Sequence, residues 1–450
     1  MPVDRVIIGD LVLPHGVERN GALSIDGGRI VGIHPSGGAP EALETLDYQG
    51  KLVLPGGIDT HVHAYSGSEQ QEGLERLTRG AARGGLTTVL DMPYDRPDAI
   101  TDTERFQAKV EVVGREAVVD VGLYATLTKF GGAPSVASLA QAGACAFKLS
   151  TYETDPNRFP EIPDSELVRI FPEIAETGSL VAFHAENGAI IDPLVKAYRE
   201  AGTVNPEAHC WSRPPESEGT AVAKLLELAR AHPVRLHVVH LTVPFVYDLI
   251  GAYQDAGVDV TAETCLHYLI LAQEQMDSLG GFGKMNPPLR PAEMRDDLWG
   301  RLEAGQIAFV TSDHAPWPAS VKTKPVIFDN ASGLPGVETL LPLLYSEAVA
   351  GRDLDVVRFA ELIATNPAER FGLYPRKGAL IPGGDADVCV LDPTARWRFD
   401  AARTESIARW SPFDGTDVTG KVVRTLVRGA DVFRDDEVVG APGSGRFVRP

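Results

Sequence analysis

The chain has 450 residues, 44% of them hydrophobic, and a formal net charge of −20. This length is sufficient for one large domain with a smaller domain beside it. The net negative charge argues against nucleic acid and against an anionic membrane surface as partners, because both bind basic proteins.

The two ends of the chain have the pattern of short strands separated by turns. Residues 1–50 include an Asp-Gly-Gly turn at 26–28 between two β-rich segments, which is a hairpin signal. Residues 384–450 repeat this pattern, and neither segment has enough strands for an independently stable sheet. We therefore predict a β-sandwich domain that combines residues 1–50 and 384–450, beside a larger domain at residues 51–383. Residues 441–450 are rich in Gly, Pro and Arg, which favours a flexible or exchanged tail.

Two histidines end an apolar segment that spans residues 56–63. His61 and His63 are separated by one residue, and alternate residues of a strand point to the same face. Two imidazoles side by side at a strand end form half of a metal site. A single histidine of this kind more often belongs to the core, so the rest of the chain must decide the role of the pair.

Further polar residues come at the ends of apolar, β-branched segments. They are Lys148, His184, His240 and Asp313. Helix-like segments lie between them, for example at residues 220–231 and 292–304. Short buried strands that alternate with helices predict a parallel sheet. Polar residues at the carboxyl ends of such strands predict the catalytic face of a (β/α)8 barrel.

These residues stand in motifs that occur in the order of a known family. The motifs are His61-Val62-His63, Phe147-Lys148, His184-Ala185-Glu186-Asn187, His237-Val238-Val239-His240, Asn286-Pro287-Pro288-Leu289-Arg290 and Ser312-Asp313-His314-Ala315-Pro316. Over nearly its whole length the sequence resembles the cyclic amidohydrolases of the amidohydrolase superfamily, which include dihydropyrimidinase (hydantoinase), allantoinase and dihydroorotase. The resemblance implies a TIM barrel with a small β-sandwich domain formed by both termini, and hydrolysis of the ring amide of a small cyclic substrate.

The resemblance also implies a centre of two divalent metal ions. Its ligands would be His61, His63, Lys148, His184, His240 and Asp313, with zinc as the expected metal and manganese or cobalt as alternatives. In the family a lysine modified by carbon dioxide bridges the ions. Burial of Lys148 in an apolar strand would supply the neutral amine that this modification needs. A metal-bridging hydroxide would attack the amide, and Asp313 would act as general base.

Each ligand also has a simpler explanation on its own. Lys148 is compatible with a lysine that extends from a strand end to solvent, and Asp313 with the N-cap of a following helix. His184 is compatible with an ordinary polar loop. The remaining histidines of the motifs have other expected roles: His237 in the core, and His267 and His314 as supports for the ligands.

The identity of the substrate is less sharply indicated. In dihydroorotase an arginine just after the His-x-His pair and an asparagine in a Met-Pro-Asn segment hold the substrate carboxylate. Tyr65 and Tyr94 stand at these places, so we expect a pocket without a cation, in which dihydroorotate is a poor substrate. The Glu-Pro-Gly of many allantoinases is absent too. Residues 91–93, 182–188 and 332–338 nevertheless favour the allantoinase and hydantoinase branch.

Several residues are predicted to contact a cyclic ureide. By resemblance Tyr152, Asn286 and Ser332 would bind the ring amide, while Tyr65 and Tyr94 would line a pocket for the ring substituent. Hydantoins, allantoin and dihydropyrimidines are the expected substrates. A dihydroorotase-like or cyclic imide hydrolase activity is the alternative, and a non-catalytic assembly protein built on the same barrel stays open.

The last predictions concern location and assembly. The cysteines, Cys145, Cys210, Cys265 and Cys389, match no Cys-x-x-Cys pattern and fit a reducing compartment. No signal peptide and no membrane-spanning apolar segment is recognisable, so we expect a cytoplasmic protein without membrane or nucleic-acid partners. By resemblance the protein would form a homodimer or homotetramer.

Overall fold

The computed structural model describes residues 2–66 and 71–450. The strands are β1 (Val3–Leu13), β2 (Gly16–Asp26), β3 (Arg29–His34), β4 (Ala42–Pro55), β5 (Gly57–Val62), β6 (Leu86–Asp91), β7 (Asp120–Leu123), β8 (Phe147–Ser150), β9 (Leu180–His184), β10 (Arg235–Val238), β11 (Val260–Ala262), β12 (Thr264–Cys265), β13 (Val310–Thr311), β14 (Val388–Arg398), β15 (Asp417–Val427), β16 (Ala430–Arg434) and β17 (Glu437–Val438). The α-helices are α1 (Gly73–Arg83), α2 (Thr103–Glu116), α3 (Val136–Ala142), α4 (Asp164–Thr177), α5 (Gly188–Glu200), α6 (Pro206–Trp211), α7 (Pro215–Ala231), α8 (Pro244–Asp255), α9 (Leu266–Ile270), α10 (Met276–Leu279), α11 (Ala292–Glu303), α12 (Leu340–Leu344), α13 (Val356–Ala360) and α14 (Asn366–Arg370).

The two ends of the chain meet in one eight-stranded sheet, in the order β17-β16-β15-β14-β4-β1-β2-β3. The predicted hairpin is confirmed, since Asp26 pairs with Arg29 between the antiparallel strands β2 and β3. β4 connects the two halves of this sheet, because it pairs in parallel with β1 from Ala42 to Val53 and antiparallel with β14 from Leu52 to Pro55. The same strand spans the predicted domain boundary at residue 50 and leads into β5.

The middle of the chain forms short parallel strands with buried side chains. They pair in the orders β5-β6-β7, β11-β10-β9-β8 and β12-β13. Isolated parallel bridges join neighbouring groups: Ala125 with Phe147 beside β8, and Val62 of β5 with His314 after β13. Since these pairings are all parallel, the carboxyl ends of the strands lie at one edge. The predicted α/β class with a parallel sheet is therefore confirmed.

Helices connect the parallel strands and cover them. α4 shows the pattern, because Leu167, Ile170, Phe171 and Ile174 recur at helical spacing and are all buried. It ends at Gly178, whose φ of +68° is a left-handed conformation that glycine adopts readily, and the chain then enters β9. α7 and α11 lie where the sequence predicts helices. Within the described ranges, no helix is both long enough and apolar enough to cross a bilayer.

The final residues of the chain lie along β7 of the same molecule. Val121 N donates to the Arg446 carbonyl and Val448 N donates to the Val121 carbonyl, each at 2.9 Å. Val448 is buried in a cluster of core residues. The expectation of a flexible tail at residues 441–450 is therefore wrong, because backbone pairing and burial hold this segment against β7, while its exchange between copies stays a prediction.

Candidate active site

A cavity of about 330 Å³ lies at the carboxyl ends of the parallel strands. Its lining includes all the predicted metal ligands, His61, His63, Lys148, His184, His240 and Asp313. Each of them lies in, or shortly after, β5, β8, β9, β10 or β13. The parallel arrangement thus brings residues that are far apart in sequence to one place.

His61 and His63 present ring nitrogens to Asp313. Their Nε2 atoms lie 3.1 Å and 3.3 Å from Asp313 Oδ1. The other nitrogen of His61, Nδ1, lies 2.9 Å from Glu263 Oε1. Burial alone would raise the pKa of Glu263, but hydrogen bonds from His237 and His61 lower it to about 2. An ionised carboxylate only accepts, so Nδ1 of His61 donates to Glu263, and Nε2 is the ring nitrogen that faces Asp313.

The same arrangement recurs at the second histidine pair. His184 Nδ1 lies 2.9 Å from His240 Nε2, and His184 Nε2 lies 2.8 Å from Glu186 Oε2. Burial alone would raise the pKa of Glu186, but Arg213 and His184 lower it to about 2. Glu186 therefore accepts from Nε2 of His184, and Nδ1 is the ring nitrogen that faces His240. A carboxylate behind the ring thus orients one histidine of each pair, His61 in the first and His184 in the second.

Two of the predicted ligands have a strained backbone. His240 has a φ of +42° and Asp313 a φ of +46°, in the left-handed region that non-glycine residues rarely adopt. Such a conformation costs on the order of 1–3 kcal/mol and persists only where the surrounding structure maintains it. Here it occurs at strand ends whose side chains line the cavity.

Lys148 is buried, with 1% of its surface exposed, so the alternative of a lysine that extends to solvent is wrong. Its Nζ has no hydrogen-bond partner among the described residues. Burial lowers the pKa of the ammonium to about 7, which makes the neutral amine accessible near neutral pH. An amine without a partner, beside imidazoles and a carboxylate, fits a site that takes up a further group.

Asp313 is ionised at neutral pH. Burial alone would raise its pKa, but His61 and His63 hold it well below its usual range. The N-cap alternative is wrong, because the described chain after Asp313 is irregular until a 3-10 turn at Ala319–Val321. The carboxylate is thus available to a cation or to a proton.

Three of the predicted substrate contacts, Tyr94, Asn286 and Ser332, line the cavity. Ser332 Oγ donates to Asn286 Oδ1 at 3.3 Å, so the two side chains present polar groups together. Tyr152 lines a neighbouring space of about 250 Å³ that shares Asn286 and Ser332 with the main cavity. Its ring centroid lies 6.3 Å from that of His184.

Tyr65 is not among the residues that line the cavity. Its hydroxyl donates to Glu116 Oε2 at 2.7 Å and accepts from Leu74 N at 3.2 Å. Glu116 ends α2 and Leu74 begins α1, so these contacts hold the ring against the helices. The predicted role of Tyr65 as a pocket residue is therefore wrong.

The cavity also contains residues that the sequence did not assign to it. They include Arg96, Arg158, Phe159 and Trp317. The expectation of a pocket without a cation is wrong, because it considered only positions 65 and 94, while both guanidiniums come from elsewhere in the loops. An Asp-x-x-Arg spacing at 155–158 was the signal for one of them, since residues three apart in a turn pair readily.

The other histidines of the motifs lie outside the ligand group. His237 is buried and its Nε2 lies 3.1 Å from Glu263 Oε2, so the predicted core position is confirmed. His314 Nε2 lies 3.1 Å from Glu72 Oε1. His267 is buried, and neither of its ring nitrogens has a partner among the described residues.

Comparison of the sequence with known proteins shows the family of this chain. A sequence profile described as the Amidohydrolase family matches residues 52–432. The chain belongs to the amidohydrolase family. A relative named allantoinase, from Rubrobacter xylanophilus, is 36% identical over 449 residues, which cover 99% of this chain and 98% of the relative. A relative named L-hydantoinase, from Paenarthrobacter aurescens, is 35% identical over 442 residues, covering 97% and 96%.

Solved structures of hydantoinases share the fold of this amidohydrolase. L-hydantoinase (dihydropyrimidinase) from Arthrobacter aurescens superimposes with a TM-score of 0.95 at 34% identity, over 100% of each chain. A D-hydantoinase superimposes with a TM-score of 0.90 at 28% identity, over 99% of this chain and 98% of that chain. The family that the sequence motifs indicated is therefore confirmed.

Proposed function

We propose that this amidohydrolase hydrolyses the ring amide of a cyclic ureide of the hydantoin or allantoin type. The observation that carries the proposal is the cavity in which four imidazoles meet Asp313 and the amine of Lys148, which has no hydrogen-bond partner among the described residues. The reaction class predicted from the sequence, hydrolysis of a cyclic amide, is confirmed by the family and by the allantoinase and hydantoinase relatives. The choice of a ureide is supported by the names of the same relatives.

We infer that two divalent ions complete the site. His61, His63 and Asp313 offer ligand atoms close enough together for one ion, and His184 with His240 would hold the second. Lys148, as a carbamate formed with carbon dioxide, would supply an anion to both. Imidazole and carboxylate ligands suit zinc, with manganese or cobalt as alternatives. When bound, such ions polarise a carbonyl and lower the pKa of water.

Asp313 is the residue placed to move the proton. Both of its histidine contacts use Oδ1, which leaves Oδ2 for a water molecule in the cavity. As the water oxygen bonds to the ring carbonyl carbon, its proton passes to Asp313. The carboxyl then delivers this proton to the ring nitrogen when the carbon–nitrogen bond breaks. The product is an open chain with a carboxylate and a ureido nitrogen.

The polar wall of the cavity is proposed to orient the ring. Asn286 and Ser332 carry an amide and a hydroxyl that pair with ring N–H and C=O groups. Tyr94 and Phe159 stack with ring centroids 3.7 Å apart and offer an apolar surface to the ring substituent. Tyr152, in the neighbouring space, stays a predicted contact of the oxygen that becomes negative during the reaction.

Steady-state kinetics on hydantoin, allantoin, dihydrouracil, dihydroorotate and a cyclic imide tests the proposal with metal-loaded enzyme. We expect turnover of at least one neutral ureide, and Asp313→Asn should be slower by about 100-fold or more. Asp248→Asn is the matched control, because Asp248 is an exposed carboxylate paired with Arg301. Absence of turnover on every compound, with no bound metal, would instead favour the non-catalytic assembly protein.

A second candidate is a ring with an anionic substituent, such as dihydroorotate. Arg96 lines the cavity, and guanidinium groups bind carboxylates with two hydrogen bonds. We still expect dihydroorotate to be the slower substrate, because Arg96 is exposed and exposed ion pairs contribute about 0–1 kcal/mol. Arg96→Gln should lower kcat/KM for dihydroorotate alone. If dihydroorotate is the best substrate of the wild type, the ranking is wrong.

We infer that β5 to β13 close into a (β/α)8 barrel, with β11 and β12 as one interrupted strand. The isolated bridges between neighbouring groups and the TM-score of 0.95 to L-hydantoinase support this closure. Residues 51–383 would form the barrel. The terminal sheet, from residues 1–50 and 384–450, is proposed to form the β-sandwich domain.

A cytoplasmic homodimer or homotetramer also remains a proposal. The partner proposed for the cavity is the small cyclic substrate. Light scattering of the purified protein tests the assembly, and a mass of 48.3 kDa for the particle in solution would contradict it.

A further inference from the structure

Three loops around the cavity meet at the guanidinium of Arg158. Its Nη1 donates to the Tyr94 carbonyl at 2.9 Å and to the Ser66 carbonyl at 3.5 Å. Ser66 follows β5, Tyr94 follows β6, and Arg158 itself follows β8. We propose that Arg158 is a positioning residue that fixes these loops as the wall against the ring substituent and so sets the substrate preference. This inference rests on the proposed function.

Asp155 holds the guanidinium in the orientation that this role needs. Asp155 Oδ2 accepts from Arg158 Nε at 3.1 Å and from Nη2 at 2.9 Å. Its Oδ1 accepts from the backbone N of Asn157 and of Arg158, and Phe159 N donates to the Asp155 carbonyl at 2.9 Å, which closes the turn. The Arg158 side chain is only 12% exposed. A planar fork shared between a carboxylate and two carbonyls has one geometry, which the ammonium of a lysine cannot reproduce.

The turn places Phe159 on Tyr94, the residue to which Arg158 is bonded. The two rings are stacked with centroids 3.7 Å apart. Phe159 also meets the His184 ring edge to face at 5.7 Å, and the Tyr94 hydroxyl donates to the Lys148 carbonyl at 3.1 Å. The stacked pair therefore adjoins two of the proposed metal ligands. A displacement of either loop would change the space beside the reacting carbonyl.

Arg158 and Arg96 differ in what they offer a substrate. Asp155 already neutralises Arg158, and both of its nitrogens on that side are engaged. The described partners of Arg96 do not include a carboxylate, so charge recognition falls to Arg96. Arg158 acts instead on the shape of the wall. On this proposal a ring substituent meets the wall more closely than the ring itself does, so the size and handedness of the substituent matter there.

The test compares wild type with Arg158→Met and Arg158→Lys on unsubstituted hydantoin and on each enantiomer of 5-benzylhydantoin. For the preferred enantiomer we expect kcat/KM to fall by about tenfold, mainly through KM, and the ratio between enantiomers to shrink. For unsubstituted hydantoin the fall in kcat/KM should be smaller, about threefold or less. Arg158→Lys should behave like Arg158→Met, because it keeps the charge without the fork. Arg301→Met is the control, since Arg301 is 20% exposed and pairs with carboxylates outside the cavity.

Selective loss on the substituted rings supports the inference. Equal loss on all three compounds, or no change on any of them, overturns it. If Arg158→Met does not fold, Asp155→Asn on the same compounds decides, because it releases the guanidinium while leaving Arg158 in place. Absence of turnover of every hydantoin by the wild type would overturn the proposed function itself, and this outcome is distinct from an unselective variant.

Discussion

Two buried lysines of this protein, Lys148 and Lys377, have opposite surroundings. Their exposed fractions are 1% and 2%, and each adjoins a group of side chains close enough together to hold a metal ion. Lys148 Nζ has no hydrogen-bond partner among the described residues. Lys377 Nζ lies 2.7 Å from Asp120, 2.6 Å from Asp387 and 3.3 Å from Asp385. Burial is the same at both sites, so the partners make the difference.

The partners decide whether a buried lysine is reactive or structural. Burial alone would lower the pKa of Lys377, but Asp387 and Asp120 raise it above its usual value. Its ammonium stays charged and occupies the centre of the group formed by Asp120, Asp385 and Asp387. We therefore infer that this group is structural: it joins β7 to the segment before β14 through ion pairs. At Lys148 no such partner compensates for burial, and the amine is free to lose its proton and react.

The largest expected effect follows from removing the reactive lysine. Lys148→Ala should lower kcat/KM by about 1,000-fold or more, because the site loses the anion proposed to serve both ions. Elemental analysis should find less bound metal, and added short carboxylic acids should restore part of the activity. Lys196→Ala is the control, because the Lys196 side chain is 77% exposed. A fully active Lys148→Ala enzyme would exclude the carbamate.

Removing the structural lysine should affect stability instead. Lys377→Met leaves Asp387 buried without a cation, while Asp120 keeps Arg428 and Asp385 keeps Arg29. The loss should lower the free energy of unfolding by about 3 kcal/mol. Urea unfolding measures this change. Metal content and kcat of the folded protein should stay near wild type, since Lys377 is not among the residues that line the cavity. A loss of kcat at unchanged stability would show that the two sites are not separate.

The sequence predicted the reactive lysine but not the structural one, and the reason is physical. Lys148, His184 and Asp313 end apolar segments, and parallel pairing brings all strand ends to the same edge, so local pattern was sufficient. Lys377 and Arg158 act through partners that are brought near them only by folding or by loop conformation. Strand periodicity carries no information about such contacts.

The backbone conformation at the site could not be predicted from the sequence either. The left-handed conformations of His240 and Asp313 have no signal in residue type, since neither is glycine. The wrong prediction for Tyr65 has a similar origin. Its loop position was correct, but the hydrogen bonds to Glu116 and Leu74 turn its hydroxyl toward the helices.

Removal of the C-terminal tail, which contacts Asp120 beside Lys377, should have a similar effect on stability. Arg446 N donates to Asp120 Oδ1 at 2.9 Å, and Val448 is buried two residues later. Deletion of residues 446–450 should lower the free energy of unfolding by about 3 kcal/mol, from lost apolar burial, the hydrogen bond to Asp120 and the two backbone hydrogen bonds to Val121. Thermal unfolding with parallel metal analysis measures it. An unchanged midpoint would mean that the tail does not stabilise the Asp120 side.

Glu338 is a third buried ionisable group, and its partners compensate for burial only in part. Its side chain is 8% exposed, Arg83 Nε lies 3.8 Å away, and the backbone N of Glu405 donates to its Oε1. Burial raises its pKa to about 8 from a usual value of 4.5. The folded protein therefore keeps a proton that the unfolded chain releases between these two values.

The sign of the pH dependence follows from that proton. Between pH 4.5 and about 8 the folded state binds more protons than the unfolded state at Glu338, so stability falls as pH rises through this window. The slope is at most about 1.4 kcal/mol per pH unit for one group. Glu338→Gln cannot ionise, so its melting temperature should equal that of wild type near pH 5 and exceed it by a few degrees near pH 8. Melting curves across this range test it, with Glu347→Gln as a partly exposed control. If the melting temperatures of wild type and Glu338→Gln change with pH in the same way, the Arg83 and Glu405 contacts compensate fully for the burial of Glu338. Glu338 would then resemble Lys377, whose partners keep it charged.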